Sequence, residues 1–131
     1  MDRRNRHKDG LFSSENFFRL MVDRLEIGCA HCRMLYRGEV AVDWLHLEVN
    51  SFFLVLTGLT EVVGRRASEL FPHLRATSPD VVELFERVVR LGGPETLETY
   101  VPALGSWLFL DVFGLGQDEF VVTFKDVSQR P

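Results

Sequence analysis

The 131-residue sequence predicts an α+β domain built on an antiparallel sheet. Two strand patterns come early in the chain and three come late, and short turns that contain glycine join them. Such hairpins pair neighbouring strands in antiparallel fashion. The helical patterns fall together between the two groups of strands, as in α+β folds. Within this middle region, EVNSFFLVLTGLTEVVGRRASELFP (residues 48–72) is apolar but interrupted every few residues, which favours several short helices.

The composition is that of one soluble globular domain, with 46% hydrophobic and 26% charged residues. A net charge of −4 argues against a nucleic-acid partner, and the basic cluster DRRNRHK (residues 2–8) is expected to be a solvated chain end. No apolar run approaches the ~18 residues of a membrane span. Two cysteines form no disulfide framework, so we expect a reduced, cytoplasmic location.

The chain is expected to begin with a loose tail, residues 1–12, and an amphipathic flanking helix, residues 13–27. Ser13 or Ser14 can cap this helix, and Gly28 lies just past its end. Its apolar stripe, at helical spacing, consists of Phe17, Phe18, Met21, Val22 and Leu25.

Two strands follow in CAHCRMLYRGEVAVDWLHLEVN (residues 29–50), around a turn at residues 37–39. Asn50 is a suitable N-cap for a short helix over residues 51–57, and Gly58 suits the left-handed position that ends it.

Further short helical turns are expected after Gly58. Thr60 can cap one that ends at Gly64, and another covers residues 67–71 before Pro72.

The strongest helix pattern is SPDVVELFERVVRLGGP (residues 78–94), with Ser78 as N-cap and Pro79 in the first turn. Three strands are then expected, at residues 95–103, 106–113 and 119–127.

The fourth strand is apolar on both faces. Leu108, Leu110 and Val112 alternate with Trp107, Phe109 and Phe113, and Asp111 lies among the second set. One face can pack on the middle helices. The other needs a second cover, which the flanking helix or a partner subunit can provide.

Four of these segments, in this order and spacing, resemble a PAS sensor domain of the bacterial signal-transduction type, as attached to histidine kinases or diguanylate cyclases. They are LEVNSFFLVLTG (residues 47–58), LTEVVGRRASELFP (59–72), LGSWLFLDVF (104–113) and VVTFKDVSQR (121–130). The resemblance covers about residues 27–130. It implies a PAS domain at residues 28–128, and residues 129–131 as the start of a linker to an output domain that this chain lacks.

The resemblance implies a five-stranded antiparallel sheet with short helices on one face and the flanking helix on the other. A cavity lies between the sheet and the short helices. The residues expected at this cavity or in the core beside it are His46, Phe53, Leu56, Leu70, Phe85, Val88, Leu110, Val112, Val122 and Phe124. The cavity holds a small molecule, or large side chains fill it.

The resemblance also implies a homodimer, because flanking helices of this family often pack against their twins. The residues expected at the interface are Phe17, Phe18, Met21, Val22, Leu25, Trp107 and Phe109.

No cofactor is predicted. The sequence has no match to the Asn-Cys-Arg-Phe-Leu-Gln motif of flavin-binding relatives. The segment LGGPETL (residues 91–97) has no histidine where haem-binding relatives place one.

No metal site is predicted either. Cys29 and Cys32 have the spacing of zinc ligands, but residues three apart on a strand point to opposite faces. His46 is expected either to meet a ligand or to be a hydrogen-bonded core residue, and His73 to be exposed or to cap a helix.

The sequence thus favours a non-catalytic sensory module that binds a small molecule or relays a signal as a dimer. The alternative is a small α+β cavity enzyme, an isomerase or hydrolase that uses Asp111 as a desolvated base.

Overall fold

The computed structural model describes residues 20–21 and 26–128. Leu20 and Met21 are helical. The rest of the flanking-helix stripe (Phe17, Phe18, Val22 and Leu25), the tail at residues 1–12 and residues 129–131 lie outside the described residues.

Strands and helices follow one another in the predicted order except in the short turns between residues 58 and 78. They are β1 (Gly28–Arg37), β2 (Val40–Val49), α1 (Ser51–Thr57), α2 (Ala67–Leu70), α3 (Leu74–Thr77), α4 (Pro79–Leu91), β3 (Glu95–Val101), β4 (Ser106–Gly116) and β5 (Glu119–Asp126).

The five strands form one antiparallel sheet in the order β2-β1-β5-β4-β3. The helices pack on one face of this sheet, here called the inner face, and the core lies between them. The predicted α+β architecture is therefore confirmed. Strands β1 and β5, from the two ends of the domain, are neighbours near the centre of the sheet.

The inner face is built by alternate residues of each strand. In β4 the side chains of Leu108, Leu110 and Val112 are buried. Trp107 and Phe113, at the two ends of this run, are exposed. Alternation of this kind places one set on the core and the other on the outer face of the sheet.

Helix α1 begins and ends as its sequence predicts. The Asn50 side chain accepts a hydrogen bond from the backbone N–H of Phe53. Gly58 adopts the left-handed conformation, with φ 75°, and its N–H donates to the carbonyl of Leu54.

The helical turn expected between Thr60 and Gly64 is absent from the structure, and that prediction was wrong. This segment instead pairs with β2: Gly64 donates to the His46 carbonyl at 2.8 Å, and His46 donates back to the Arg65 carbonyl at 3.0 Å. Because β2 is an edge strand, its free backbone groups compete for this segment and cover part of the edge.

Two details around the longest helix also differ from expectation. A single turn, α3, precedes it and was not predicted; its buried residue is Leu74. Ser78 does not cap α4 through its side chain, and its buried Oγ has no partner among the described residues. Asp80 instead accepts from the N–H of Val81 at 2.9 Å.

The last hairpin is tighter than the sequence suggested. Strand β4 extends to Gly116, and a two-residue turn at Gln117 and Asp118, with φ 55° and 67°, leads into β5. Two left-handed residues are what such hairpins require, but Asn-Gly is their usual signal, and it is missing here. Strand β3 ends at Val101, earlier than predicted.

Candidate ligand cavity

A cavity of about 70 Å³ lies between the inner face of the sheet and the helices. Every strand and the helices α1, α3 and α4 contribute to its wall. The lining residues are Ala30, Cys32, Trp44, His46, Phe53, Thr57, Phe71, Leu74, Val81, Phe85, Val101, Leu104, Leu108, Leu110, Val122 and Phe124.

Six of the ten residues expected around the cavity line it: His46, Phe53, Phe85, Leu110, Val122 and Phe124. Val88 and Val112 are fully buried but pack away from the cavity, beside Gly93. Leu56 and Leu70 are partly buried and pack against the core without lining the cavity.

Sequence reasoning missed other parts of the wall, above all Cys32 and Trp44. A signal for both was present, because each shares a strand face with a residue of the inner face: Cys32 with Ala30, and Trp44 with His46. Leu74 was missed because the turn that presents it, α3, was not predicted. Phe71 lies at the end of the predicted short helix over residues 67–71 and was not selected as a cavity residue.

Aromatic rings pack edge to face around the cavity. The ring centroids of His46 and Phe53 are 5.8 Å apart, and those of Phe53 and Phe124 are 5.5 Å apart. On the other side, the Trp44 and Phe85 centroids are 5.0 Å apart. Such pairs are favourable beyond their buried area and hold the wall in one arrangement. Large side chains thus fill much of the space and leave a small remainder.

His46 is the only histidine among the residues that line the cavity, and it is only 3% exposed. Its Nδ1 lies 3.0 Å from the carbonyl oxygen of Arg65, which can only accept, so Nδ1 carries the proton. Nε2 of the neutral ring is then a hydrogen-bond acceptor. Desolvation lowers the pKa of His46, although the Arg65 carbonyl and the charge of Asp43 oppose that shift.

Cys29 and Cys32 point to opposite faces of β1, as predicted. Cys32 is buried on the inner face, and Cys29 is half-buried on the outer face. Burial raises the pKa of both thiols, so both stay protonated at neutral pH. Among residues 26–128, no group of three or more His, Cys, Asp or Glu side chains is placed to hold a metal ion.

The side chain of Asn50 joins the cavity wall to the entry of β1. Its Oδ1 accepts from Phe53 N–H at 3.0 Å and from Cys29 N–H at 2.8 Å. Its Nδ2 donates to the Ile27 carbonyl at 2.8 Å. We call this arrangement the Asn50 clasp. It brackets Gly28, where an added Cβ would lie 2.7 Å from the Phe124 ring.

The other end of the domain is fastened to β4. The N–H of Val127 donates to the Trp107 carbonyl, and the N–H of Trp107 donates to Ser128 Oγ, both at 2.9 Å. Asp126 accepts from the N–H of Ser128 at 2.8 Å, and these bonds from Ser128 lower the pKa of Asp126.

Asp111 lies on the outer face, half-buried, opposite Thr96 and Thr123 of the neighbouring strands. It does not line the cavity. Of the expected interface residues that the structure describes, Met21 is 46% and Trp107 49% exposed, and Phe109 is half-buried.

An ionic cluster also lies on the outer face. Glu119 contacts Arg33 and His31 through its two carboxylate oxygens, each at 2.7 Å. The hydrogen bond from Arg33, followed by that from His31, lowers the pKa of Glu119.

The lowered pKa of His46 makes stability depend on pH. The unfolded chain binds a proton at this side chain near the usual value of about 6.5, whereas the folded chain binds it only at lower pH. We therefore expect the free energy of unfolding to fall as the pH drops below about 6.5 and to level off below the folded-state pKa. Urea unfolding across this range measures the effect.

Replacing His46 by Phe should remove this pH-dependent contribution to the free energy of unfolding. The free energy of unfolding of the wild type minus that of His46→Phe should therefore be constant above about pH 6.5 and should fall below it. The same substitution at exposed His73 serves as the control. A difference that stays constant down to pH 5 would contradict the assignment.

No helix among the described residues is long and apolar enough to cross a bilayer. No protein-family model matches the chain, and no curated protein does.

Solved structures do match. A domain of an HTR-like protein from Haloarcula marismortui superimposes with a TM-score of 0.60 at 17% identity, over 79% of this chain and 99% of that one. The photoactive yellow protein domain of the sensor histidine kinase Ppr from Rhodospirillum centenum gives 0.54 at 18% identity, over 82% and 92%. The PAS domain of Bordetella pertussis BvgS gives 0.51 at 15% identity, over 90% and 88%.

These likenesses cover most of the chain and concern its architecture: one antiparallel sheet with short helices packed on a single face. The chain has the fold of PAS domains.

Proposed function

We propose that the chain is a sensory and signal-relay module of a cytoplasmic signalling protein, without catalytic activity of its own. A small molecule in the cavity sets the position of α1, and the flanking segments pass the change to an output domain. Residues 28–128 are the sensory unit in this proposal, residues 13–27 the flanking helix, and residues 129–131 the start of the linker.

The Asn50 clasp is the observation that best supports the proposal. One amide group bonds Phe53, which lines the cavity, and the backbone at Ile27 and Cys29, where the flanking segment enters the sheet. A shift of α1 by a ligand therefore cannot leave residues 27–29 unaffected unless these bonds break. A ligand that prefers one position of α1 would bias the junction by its difference in affinity for the two positions.

The short helices suit this role. Helix α1 has 7 residues, and α2 and α3 have 4 each. Isolated helices of this length are not stable in water, so packing on the sheet holds them. Such elements belong to the low-stability parts of a fold, where small free-energy differences move the backbone.

The first prediction concerns the relay. Xenon binds apolar cavities without needing a hydrogen bond. We expect dissolved xenon to shift the amide resonances of Phe53 and Leu110 at the cavity, and those of Cys29 and Gly28 at the junction. In Asn50→Ala the cavity response should remain, and the junction response should fall by at least about half because three hydrogen bonds are lost. Two-dimensional NMR under xenon pressure measures both responses.

Thr60→Ala, an exposed substitution in the loop after α1, is the matched control and should respond as the wild type does. A wild-type response at Phe53 and Leu110 with none at residues 27–29 would contradict the relay. If xenon shifts neither the Phe53 nor the Leu110 resonance, the proposed relay has no starting point.

A homodimer is the second part of the proposal. The exposed Trp107 and the half-buried Phe109 lie on the outer face, and the apolar stripe of residues 17–25 directly precedes the first strand. Trp107 and Phe109 offer an apolar surface on the side of the sheet away from the cavity, and in this proposal the stripe completes the interface. In this arrangement a change at residues 27–29 would alter the geometry of paired flanking helices.

We expect the wild type to scatter light as a species of about twice the chain mass of 15.1 kDa, and Phe17→Glu/Met21→Glu as a monomer, because buried unpaired carboxylates are costly. Val63→Glu introduces one carboxylate at an exposed loop residue and should leave the mass of the particle unchanged. Equal masses for wild type and the double variant would contradict this interface.

A further inference from the structure

Two ring nitrogens of the cavity wall make no hydrogen bond to residues 20–21 and 26–128: Nε2 of His46, which accepts, and Nε1–H of Trp44, which can only donate. Nδ1 of the His46 ring is used by the Arg65 carbonyl, which fixes the tautomer. His46 is only 3% exposed and lines the cavity, so bulk water has little access to Nε2, and a molecule in the cavity can supply its partner. A buried acceptor without a partner costs free energy, which a donor on a ligand would relieve.

Two further polar side chains of the wall offer a ligand less than His46 does. Thr57 Oγ1 donates to the Phe53 carbonyl at 2.8 Å and accepts from the N–H of Leu59 at 3.3 Å. The Cys32 thiol is protonated, because burial raises its pKa, and is a weak partner.

The lining residues include no Asp, Glu, Lys or Arg. A charged ligand would therefore lose its hydration without gaining a counter-charge, which excludes carboxylates and ammonium groups on energetic grounds.

Size adds a second restriction. One water-sized position takes about 10–15 Å³, and an apolar cavity of about 150 Å³ accepts benzene. Between these two scales, the volume of about 70 Å³ has room for a molecule of about three to six non-hydrogen atoms.

We propose that the cavity takes a small neutral molecule of about three to six non-hydrogen atoms, with an apolar body and one hydrogen-bond donor, a hydroxyl or an N–H, from which Nε2 of His46 accepts. This inference rests on the proposed sensory function and names the ligand class for the same cavity. The aromatic rings of Phe53 and Phe124 contact the apolar body, and His46 selects for the donor.

The test uses pyrrole and furan. Both are five-membered aromatic rings of nearly equal size, but only pyrrole has an N–H donor. We expect pyrrole to bind the wild type about 2- to 12-fold more tightly than furan, the factor that a net hydrogen-bond contribution of about 0.5–1.5 kcal/mol gives. Dissociation constants come from amide chemical-shift titrations.

In His46→Phe the two probes should bind equally. The variant is expected to fold, because the backbone N–H at position 46 still bonds the Arg65 carbonyl. The matched control, His73→Phe at an exposed position, should keep the wild-type ratio. A measurement on the wild type alone gives the same answer: the ¹⁵N resonance of His46 Nε2 should move when pyrrole binds and not when furan binds.

Equal binding of pyrrole and furan to the wild type would overturn the ligand class and leave the cavity as an apolar site. Failure of both probes to bind at tens of millimolar would also overturn it. The xenon response does not involve His46, so it decides the proposed relay separately from either outcome.

Discussion

A single side-chain amide, that of Asn50, connects helix α1, the entry of β1 and the core beside them. It starts helix α1, fixes the first residues of β1, and does so from a half-buried position next to the core. An N-cap bond alone typically contributes about 1 kcal/mol. Here the same oxygen also satisfies the Cys29 amide, which the β1 entry leaves free for it. The position of the cavity wall and the path of the chain into the sheet are therefore set by one group.

This constraint explains the arrangement of the rest. Phe53 is held by the clasp and packs on both His46 and Phe124, and Phe124 lies so close to Gly28 that any larger residue there would meet its ring. Residues 27–29 are thus connected to the cavity wall in two ways: by the hydrogen bonds of Asn50 and by the packed rings of Phe53 and Phe124. Packed cores respond to small displacements by switching between discrete arrangements, because they cannot deform continuously.

Local signals in the sequence predicted much of the fold. Asn50 and Gly58 delimit α1 by capping chemistry that needs no tertiary information, and strict alternation in β4 identified both sheet faces. Features that depend on distant partners were not predictable. The partner of His46 is the Arg65 carbonyl, which reaches it only because residues 64–66 add to the edge of β2. The cavity was anticipated through the resemblance to PAS domains, but its chemistry follows from that non-local contact. Gln117 and Asp118 form their turn without the residues that usually mark it.

The amides of Cys29 and Phe53 share one acceptor, Oδ1 of Asn50, and their hydrogen exchange tests the clasp most directly. In Asn50→Ala, native-state exchange followed by NMR should accelerate at both amides together, by about 5-fold or more, since each amide loses a hydrogen bond of about 1 kcal/mol. Acceleration at Phe53 alone, with Cys29 protected as in the wild type, would reduce Asn50 to an ordinary helix cap and contradict the account.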